Sequence, residues 1–400
     1  MKNAIQFGAG NIGRGFMGQL FWEIKYHIIF IESNKKLIDS INKEKKYPLK
    51  LLDAYKKNES ILMIDNIESI LIDDSKNVFS AIESADVIST AVGVSHLEDI
   101  SSVISEGLLR RKYSNPHPID IYLCENSLEA PMILKKFVYK NLNSDIRKWT
   151  DKNVGFVGMI VARMVPQSIE SPKKANPLFA VADAYHKLIY DGKASKSYRL
   201  PISGMYPVDN YLAEFDRKLF TYNLGHAALG YLGYLKGYRY VHDSFKDNFI
   251  KKIFNGALDE TSAALARKYP GYINEDNQKE TRKDVLTRFG NPMLEDTVVR
   301  IGRDPLRKLG KSDRIIGSLN LCLDKGVFPD NIIKVCASAY NFDYYDDDSS
   351  VKLSQLIEKD GIEKTIKKVS GIEPDTDIGK KIIKYFYEYR DIKNKISYRK

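Results

Sequence analysis

A glycine-rich turn near the start of the chain constrains the fold more than any other feature of the sequence. An apolar run at residues 3–7 leads directly into GAGNIG at residues 8–13, and a helical pattern follows at residues 15–25. The spacing Gly-x-Gly-x-x-Gly between a strand and a helix is typical of loops that bind the pyrophosphate of a dinucleotide. The glycines permit a tight turn and a close approach of the phosphates, and the helix N-terminus presents free N–H groups to them. This turn therefore predicts a dinucleotide-binding domain.

An acidic residue ends the next apolar run, residues 27–31. Glu32 lies about 20 residues beyond Gly13, where a carboxylate accepts hydrogen bonds from the adenosine ribose hydroxyls. The same charge repels a 2′-phosphate, so NAD is favoured over NADP. A second loop, TAVG at residues 90–93, is expected near the nicotinamide half of the cofactor, and Arg14 adds a positive charge near the phosphates. The predicted cofactor-binding residues are Phe7, Gly8, Ala9, Gly10, Asn11, Ile12, Gly13, Arg14, Glu32, Thr90 and Val92.

The first half of the chain alternates continuous apolar runs with helical patterns. Such runs are typical of strands in a sheet that is covered on both faces, and the alternation predicts a Rossmann-like, doubly wound parallel sheet over residues 1–200. Two further runs, near Leu51 and Ile61, predict a hairpin between Tyr47 and Asp73. The predicted strands of the main sheet are residues 3–7, 27–31, 87–91, 119–124 and 153–159.

The character of the sequence changes at residues 201–209, a stretch that contains proline and glycine. Beyond it the patterns are long and helical, and strand signals nearly vanish. Residues 201–400 are therefore predicted to form an all-α domain, with the active site in the cleft between the two domains. The predicted helices are residues 210–224, 226–235, 247–268, 284–289, 313–324, 331–338 and 378–390.

Composition excludes several classes of protein. Hydrophobic residues make up 43% of the 400 residues and charged residues 28%, so a disordered chain is excluded. No run of about 20 apolar residues predicts a transmembrane helix, and the N-terminus lacks the apolar core of a signal peptide. The three cysteines are far apart in the sequence, and the six histidines lack the spacing of metal ligands. We expect a metal-independent protein of the reducing cytoplasm, with no membrane partner.

The net charge of +10 has two interpretations. A basic chain can bind nucleic acid, but here the lysines are scattered among acidic residues, as on a solvated surface. A modest positive excess also suits an anionic small-molecule substrate. We therefore expect no nucleic-acid partner.

Three polar residues follow the domain boundary at short intervals: Lys218, Asn223 and His226. At about 100° per residue on an α-helix they fall at about 0°, 140° and 80°, so all three can line one wall of a cleft. Spacing alone does not make a site, because a lysine, an asparagine and a histidine on one helical face are usually solvated.

Nearly the whole chain, to about residue 385, resembles the polyol-specific long-chain dehydrogenases. The segments that carry the resemblance are FGAGNIGRGF, TAVG, LCENS, VGFV, VDNYLAEFDRKLFTYNLGH and RFGNPMLEDTVVRIGRDPLRKL. In this family Lys-x4-Asn-x2-His is the catalytic signature. The resemblance implies that Lys218 is the general base, that Asn126 and Asn223 stabilise the oxyanion, and that His226 binds substrate hydroxyls. A lysine can act in this way only if burial and neighbouring cations lower its pKa from about 10.4 towards about 7–8.

A cluster of cations lies further along the chain, at Arg300, Arg303, Arg307, Lys308, Lys311 and Arg314. Asp304 followed by Pro305 predicts an N-cap and the start of a new helix within it. The resemblance places Arg300 and Lys308 as substrate contacts. The remaining cations, Arg303 among them, either hold a sugar phosphate or form surface salt bridges. Arg163 is a further predicted substrate contact.

The resemblance implies hydride transfer between NAD and a polyol phosphate, with interconversion of D-mannitol 1-phosphate and D-fructose 6-phosphate. Ala162 stands where relatives commonly carry aspartate, and residues 193–206 are hard to match, so the polyol is left open. The alternative is the same chemistry on free mannitol, arabinitol or a hexuronate such as fructuronate. A third interpretation, an NAD-binding regulator or nucleic-acid binder without catalysis, is disfavoured by the intact catalytic signature. We expect a monomer or a homodimer.

Overall fold

A computed structural model describes residues 1–166 and 176–397 of the chain. The chain divides into two compact units, Met1–Leu212 and Ala213–Lys400. The division lies a few residues beyond the proline- and glycine-containing stretch at residues 201–209.

The N-terminal unit is built around a mixed but mostly parallel sheet. Among the described residues this sheet has eight strands, in the order β11-β10-β8-β7-β6-β1-β2-β5, and a second sheet has three, in the order β4-β3-β9. The strands are β1 Asn3–Phe7, β2 His27–Glu32, β3 Tyr47–Asp53, β4 Asn58–Ile64, β5 Ile67–Leu71, β6 Val87–Thr90, β7 Ile119–Leu123, β8 Val154–Val161, β9 Ala180–Asp183, β10 Leu188–Asp191 and β11 Met205–Val208. The helices are α1 Gly18–Glu23, α2 Lys35–Glu44, α3 Ser75–Ser84, α4 Leu97–Ser114, α5 Ala130–Lys140 and α6 Ser144–Asn153.

The central strands confirm the predicted doubly wound arrangement. β1 pairs in parallel with β2 on one side and with β6 on the other. Neighbouring residues of a strand face opposite layers of helices: Ala4 and Ile28 belong to one apolar core, and Ile5 and Ile29 to the other. The chain continues from β1 to β2 on one side and later returns to β6 on the other side of β1, so the strand order reverses between β1 and β6. The carboxyl ends of two such strands are the usual place for a ligand in sheets of this type.

The predicted hairpin is also confirmed, as β3 and β4. Four strands were not predicted. β5 extends the main sheet beside β2, β9 pairs with β3, and β10 and β11 form the opposite edge, where β10 runs antiparallel to β8.

The described part of the C-terminal unit contains no strand longer than the isolated bridge between Tyr240 and Thr297, in agreement with the predicted all-α domain. Its helices, with one that begins just before the division, are α7 Tyr211–Arg217, α8 Leu224–Leu235, α9 Val241–Ser244, α10 Asn248–Lys268, α11 Glu275–Phe289, α12 Val298–Gly302, α13 Pro305–Lys308, α14 Ile316–Asp324, α15 Asp330–Tyr340, α16 Asp348–Ser370 and α17 Asp377–Ser397. The sequence analysis missed α16, which is interrupted at Gly361 by a positive φ of 78°. Within the described ranges, no helix is long and apolar enough to cross a membrane.

In the described part of the chain two short segments are π-helical, with backbone hydrogen bonds that span five residues instead of four. One is Gly13–Met17, which opens the helix after the glycine-rich turn, and Gly18 N–H donates to Gly13 there. The other is Lys218–Asn223, which joins α7 to α8, and Leu224 N–H donates to Leu219. The predicted continuous α-helix over residues 210–224 is therefore wrong in its second half.

Candidate active site

The three glycines of the turn between β1 and the first helix have separate roles. Gly8 has φ +85°, and a Cβ atom there would lie 2.7 Å from the carbonyl oxygen of Ala91. A Cβ at Gly13 would lie 2.0 Å from the carbonyl oxygen of Gly8, so the helix packs against the turn only without a side chain. A Cβ at Gly10 would meet nothing within 4 Å. The open side of the turn is thus at Gly10, as a loop that receives a pyrophosphate requires.

The carboxylate of Glu32, at the end of β2, anchors this turn. Its Oε2 accepts a hydrogen bond from Ala9 N–H at 2.8 Å, and its Oε1 accepts from Ser33 N–H at 2.8 Å. Oε1 also accepts from Asn34 N–H at 3.1 Å and from Ser33 Oγ at 3.3 Å, so the turn and the loop after β2 together supply four donors to this carboxylate. The predicted ribose contact stays a prediction.

Arg14 braces the same turn. Its Nε donates to the carbonyl of Ala9 at 2.7 Å, and its Nη1 donates to that of Leu178 at 2.8 Å. Burial lowers the pKa of Arg14. The other residues predicted to bind the cofactor here are buried, as Phe7 and Ala9, or partly buried, as Asn11 and Ile12.

A buried glutamate fixes the loop after β6. Glu125, two residues beyond the end of β7, accepts hydrogen bonds from Thr90 Oγ1 at 3.1 Å, Val92 N–H at 3.0 Å and Gly93 N–H at 2.8 Å. Burial raises the pKa of Glu125, and these hydrogen bonds oppose the rise. Asn126, the next residue, is exposed at the carboxyl end of β7. Glu125 therefore connects the predicted cofactor residues Thr90 and Val92 to the segment after β7 that contains Asn126.

Lys218 begins the π-helical segment of the C-terminal unit. Burial and the positive charges of Arg314 and Arg307 lower its pKa to about 7, against the opposing charge of Asp313. This is the direction in which the pKa of a lysine must shift to act as a base near neutral pH. The cations that accompany Lys218 belong to the predicted cationic cluster.

Asn223 ends the same segment, five residues after Lys218. Because the hydrogen bonds of a π-helix join residues five apart, Lys218 and Asn223 lie one turn apart on the same side. The angle of about 140° expected from an α-helix is wrong for this reason. The Nδ2 atom of Asn223 is buried and has no hydrogen-bond partner among the described residues. A buried donor left in this state is costly unless a ligand completes it.

His226 lies in the first turn of α8. Its ring stacks on Phe289, with 4.6 Å between the ring centroids, and its Nε2 lies 3.2 Å from Oδ2 of Asp296. Asp296 also accepts two hydrogen bonds from Arg300, Nε to Oδ1 and Nη2 to Oδ2, both at 2.5 Å. The structure thus brings the predicted substrate residues His226 and Arg300 onto one carboxylate.

The cationic cluster is largely paired. Arg307 donates to Asp304 and, at 2.7 Å, to Asp313, which also accepts from Arg314 Nε at 2.8 Å. Helix α13 begins at Pro305 as predicted, but Asp304 has φ 59° and makes no capping hydrogen bond. Asp304 thus occupies the predicted N-cap position, but its carboxylate binds Arg307 instead of capping the helix.

Lys308, a predicted substrate contact, is buried. Its Nζ donates to the backbone carbonyls of Ile301 and Arg303, and burial and the charge of Arg314 lower its pKa. Arg303 itself is exposed. Substrate binding by Lys308 and Arg303 stays a prediction.

Arg163 is buried in the N-terminal unit. Its guanidinium donates to the carbonyls of Tyr185 and Gly15, and to Oε1 of Gln19 at 2.6 Å. These hydrogen bonds hold the π-helical segment Gly13–Met17 and helix α1 in place. Substrate contact by Arg163 stays a prediction. A buried carboxylate, Asp183, accepts from the backbone N–H of Met164 in this segment, which also contains Ala162.

Comparison with known proteins matches both halves of the chain to one family. The model of the mannitol dehydrogenase Rossmann domain matches residues 2–204, and that of the mannitol dehydrogenase C-terminal domain matches residues 208–393. The chain belongs to the mannitol dehydrogenase family. The predicted family resemblance is therefore confirmed.

Relatives match over almost their full length. Mannitol-1-phosphate 5-dehydrogenase of Thermoanaerobacter pseudethanolicus is 37% identical over 392 residues, which is 98% of this chain and 99% of that protein. The protein of the same name from Clostridium acetobutylicum is 37% identical over 387 residues, which is 96% of this chain and 98% of that protein.

Solved structures share the fold at low sequence identity. Pseudomonas fluorescens mannitol 2-dehydrogenase, in a ternary complex with NAD and D-mannitol, has a TM-score of 0.80 at 14% identity and covers 99% of this chain and 94% of its own. D-sorbitol dehydrogenase in substrate-free form has a TM-score of 0.78 at 18% identity, with 98% and 94% covered.

Two residues of this mannitol dehydrogenase family member were missed by the sequence analysis. Asp296 and Glu125 each hold predicted site residues in place, yet both lie inside segments that were quoted only for resemblance. No spacing rule identifies them, because the partners of Glu125 lie 32 to 35 residues away in the sequence and His226 lies 70 residues from Asp296. Among residues 1–166 and 176–397, no group of His, Cys, Asp and Glu side chains is arranged to hold a metal ion.

Proposed function

We propose that the chain is an NAD-dependent polyol-phosphate dehydrogenase that interconverts D-mannitol 1-phosphate and D-fructose 6-phosphate. One observation carries the proposal: a single π-helical turn contains both Lys218 and Asn223. The pKa of Lys218 is lowered to about 7, and the buried side-chain amide of Asn223 has no hydrogen-bond partner among the described residues. The family supports the reaction class, and the names of the relatives support a phosphorylated substrate.

In the oxidation, Lys218 acts as the general base. Its neutral amine takes the proton of a carbinol hydroxyl, and the C–H bond of the same carbon breaks with its electron pair, leaving a ketone. Bound NAD supplies the acceptor for that hydride. In the reverse direction the ammonium of Lys218 returns the proton to the forming hydroxyl. A pKa near 7 keeps both forms of the amine populated at neutral pH.

Asn223 stabilises the oxygen on which charge develops. Its buried Nδ2 donates to that oxygen. The developing negative charge is strongly stabilised, because the donor has no other described partner and is shielded from water. His226 and Arg300 hold other hydroxyl groups of the substrate. The second member of the predicted amide pair, Asn126, stays a prediction.

The N-terminal unit fits NAD. The open approach at Gly10, the positive φ of Gly8 and the close contact at Gly13 form the cradle that a pyrophosphate needs. Glu32 at the end of β2 favours a ribose with a free 2′-hydroxyl over a 2′-phosphate.

The phosphate of the substrate needs a cation that is not already neutralised. Arg307 and Arg314 are paired with Asp304 and Asp313, and Arg300 with Asp296. Within the described ranges, Arg303 and Lys311 have no carboxylate at ion-pair distance, and both are exposed. We assign the phosphate to this pair.

The test is NADH oxidation with fructose 6-phosphate, free fructose and fructuronate at equal concentrations. The proposal expects fast turnover with the phosphate ester alone. A preference for fructose or fructuronate would move the enzyme to the alternative substrates and release Arg303 and Lys311 from the assignment. No turnover with any of them, while NADH still binds, would reject the proposed substrates.

A further inference from the structure

Asp296 joins two residues that the proposed function places on the substrate. Its side chain is only 7% exposed. One carboxylate oxygen accepts from Arg300 Nε, and the other lies between Arg300 Nη2 and His226 Nε2. A buried carboxylate with three donors on it is a fixed point of the structure.

The backbone around Asp296 holds that point in place. Glu295, the preceding residue, has φ 45° and ψ 34°, a left-handed conformation that non-glycine residues seldom adopt. The carbonyl of Asp296 accepts from Val241 N–H at 2.9 Å, and Thr297 caps α12 through Arg300 N–H. Such conformations cluster at functional sites, where the surrounding structure maintains them.

The contact with Asp296 decides which nitrogen of His226 carries a proton. Burial raises the pKa of Asp296, but the hydrogen bond from His226 and the charge of Arg300 outweigh it and lower the pKa to about 2. The carboxylate is therefore ionised and can only accept. Burial lowers the pKa of His226 against the effect of Asp296, so the ring is neutral near pH 7. A neutral ring that donates from Nε2 has an acceptor at Nδ1.

The contact also changes what Arg300 can bind. Nε and one Nη are used by Asp296, and the charge of the guanidinium is compensated. The remaining N–H groups, two on Nη1 and one on Nη2, belong to a guanidinium whose charge Asp296 compensates, and such donors suit a hydroxyl better than a phosphate.

We infer that Asp296 is a positioning residue of the polyol site, which fixes His226 as its Nε2–H tautomer with Nδ1 turned to a substrate hydroxyl and holds Arg300 as a hydroxyl donor. The inference rests on the proposed function for the identity of the substrate. The tautomer itself does not depend on it.

The first test reads the tautomer directly in the wild-type enzyme. Nitrogen-15 spectra of imidazole-labelled protein at about pH 7.5 separate protonated from unprotonated ring nitrogens, and the His226→Gln variant assigns the signals of His226. The inference expects a neutral ring protonated at Nε2. A ring protonated at Nδ1 or at both nitrogens would overturn it, whatever the substrate is.

The second test measures how Asp296 acts. The Asp296→Asn variant is expected to raise KM for the ketose phosphate about tenfold or more and to leave KM for NADH within about twofold. In the Asp296→Asn/His226→Gln double variant the loss should be smaller than the product of the two single losses, because both changes remove the same contact. Independent, multiplicative losses, or an equal rise in both KM values, would overturn the role.

A matched control is Asp247→Asn. Asp247 is also a largely buried carboxylate of the C-terminal unit, and it accepts from Tyr238 and from the N–H groups of Phe249 and Ile250. Asparagine caps a helix as well as aspartate, so this variant should keep wild-type KM values. If the wild-type enzyme turns over no polyol phosphate but the Nε2–H tautomer is found, the proposed substrate fails and the arrangement around His226 stands.

Discussion

At the scale of single residues, the central observation is a lysine that folding makes less basic. Burial removes water from the ammonium of Lys218, and Arg314 and Arg307 add repulsion, so the neutral amine is favoured down to a pH of about 7. That a catalytic lysine needs a lowered pKa can be predicted from chemistry alone. The residues that lower it cannot be identified from the sequence, because Arg314 lies 96 positions from Lys218.

This pKa predicts opposite pH dependences for the two directions of the reaction. Oxidation needs the neutral amine, so kcat/KM should rise about tenfold per pH unit below about 7 and level off above it. Reduction needs the ammonium, so it should be level below about 7 and fall above it.

Steady-state kinetics from pH 5.5 to about 9.5 in both directions measures this dependence. The substrate phosphate also titrates, near pH 6, but its effect does not reverse between directions. A limb with the same sign in both directions, or an oxidation limb near pH 10, would contradict the assignment of Lys218.

At the scale of elements, the π-helical segment explains the spacing of the predicted catalytic signature. Four residues separate Lys218 from Asn223, and in an α-helix this separation places them about 140° apart around the axis. In a π-helix it places them one turn apart. Sequence analysis predicted a helix here and was right about its existence. It could not predict the wider turn, since helical periodicity assumes α geometry.

The glycine-rich turn allows a matched pair of substitutions. Gly13→Ala should destabilise the fold by about 2 kcal/mol, because the new Cβ would clash with the Gly8 carbonyl at 2.0 Å. Gly10→Ala should keep the stability within about 0.5 kcal/mol, since its Cβ meets nothing within 4 Å, but it should weaken NADH binding about tenfold.

Urea unfolding and NADH fluorescence titration measure the two effects. Equal stability losses at both positions would contradict the separate roles, and so would unchanged NADH affinity in Gly10→Ala.

The loop after β6 should depend on Glu125. Glu125→Gln replaces an acceptor by an amide that faces three donors, so we expect a loss of about 1–3 kcal/mol of stability and a raised KM for NADH. Glu260→Gln is the matched control, because Glu260 also accepts from three donors, on Asn331 and Ile332. It should lose stability and keep KM for NADH. A raised KM in both variants would mean that general destabilisation, not the loop, is measured.

Strands were predicted well where the sequence is a continuous, mostly uncharged run and poorly elsewhere. β1, β2, β6, β7 and β8 are largely buried, and their sequences show it. β9, β10 and β11 are as short as β6, at four residues each, but β9 and β10 end in an aspartate and β11 contains a proline, which are signals of a loop.

At the scale of the whole molecule, all three thiols are inside. Cys124, Cys322 and Cys336 are free and buried, and burial raises the pKa of each. Native enzyme at about pH 8 should therefore not react with a thiol reagent on the time scale in which the unfolded chain reacts at three sites. The measurement is absorbance of the released thiolate, with and without denaturant. Rapid reaction of one thiol in the native enzyme would show that part of a core opens locally.

The two-domain organisation was predictable because it depends on the period of the apolar pattern, which changes near residue 201. The fine structure of the site was not, since Asp296 and Glu125 take their importance from residues that only the folded chain brings to them.

The most direct test of the central claim is turnover of the Lys218→Met variant alongside its affinity for NADH. Methionine fills a similar volume without a titratable group. We expect kcat with fructose 6-phosphate to fall at least about 100-fold, with NADH affinity within about twofold of wild type. Turnover within tenfold of wild type would contradict the role of Lys218 as the base.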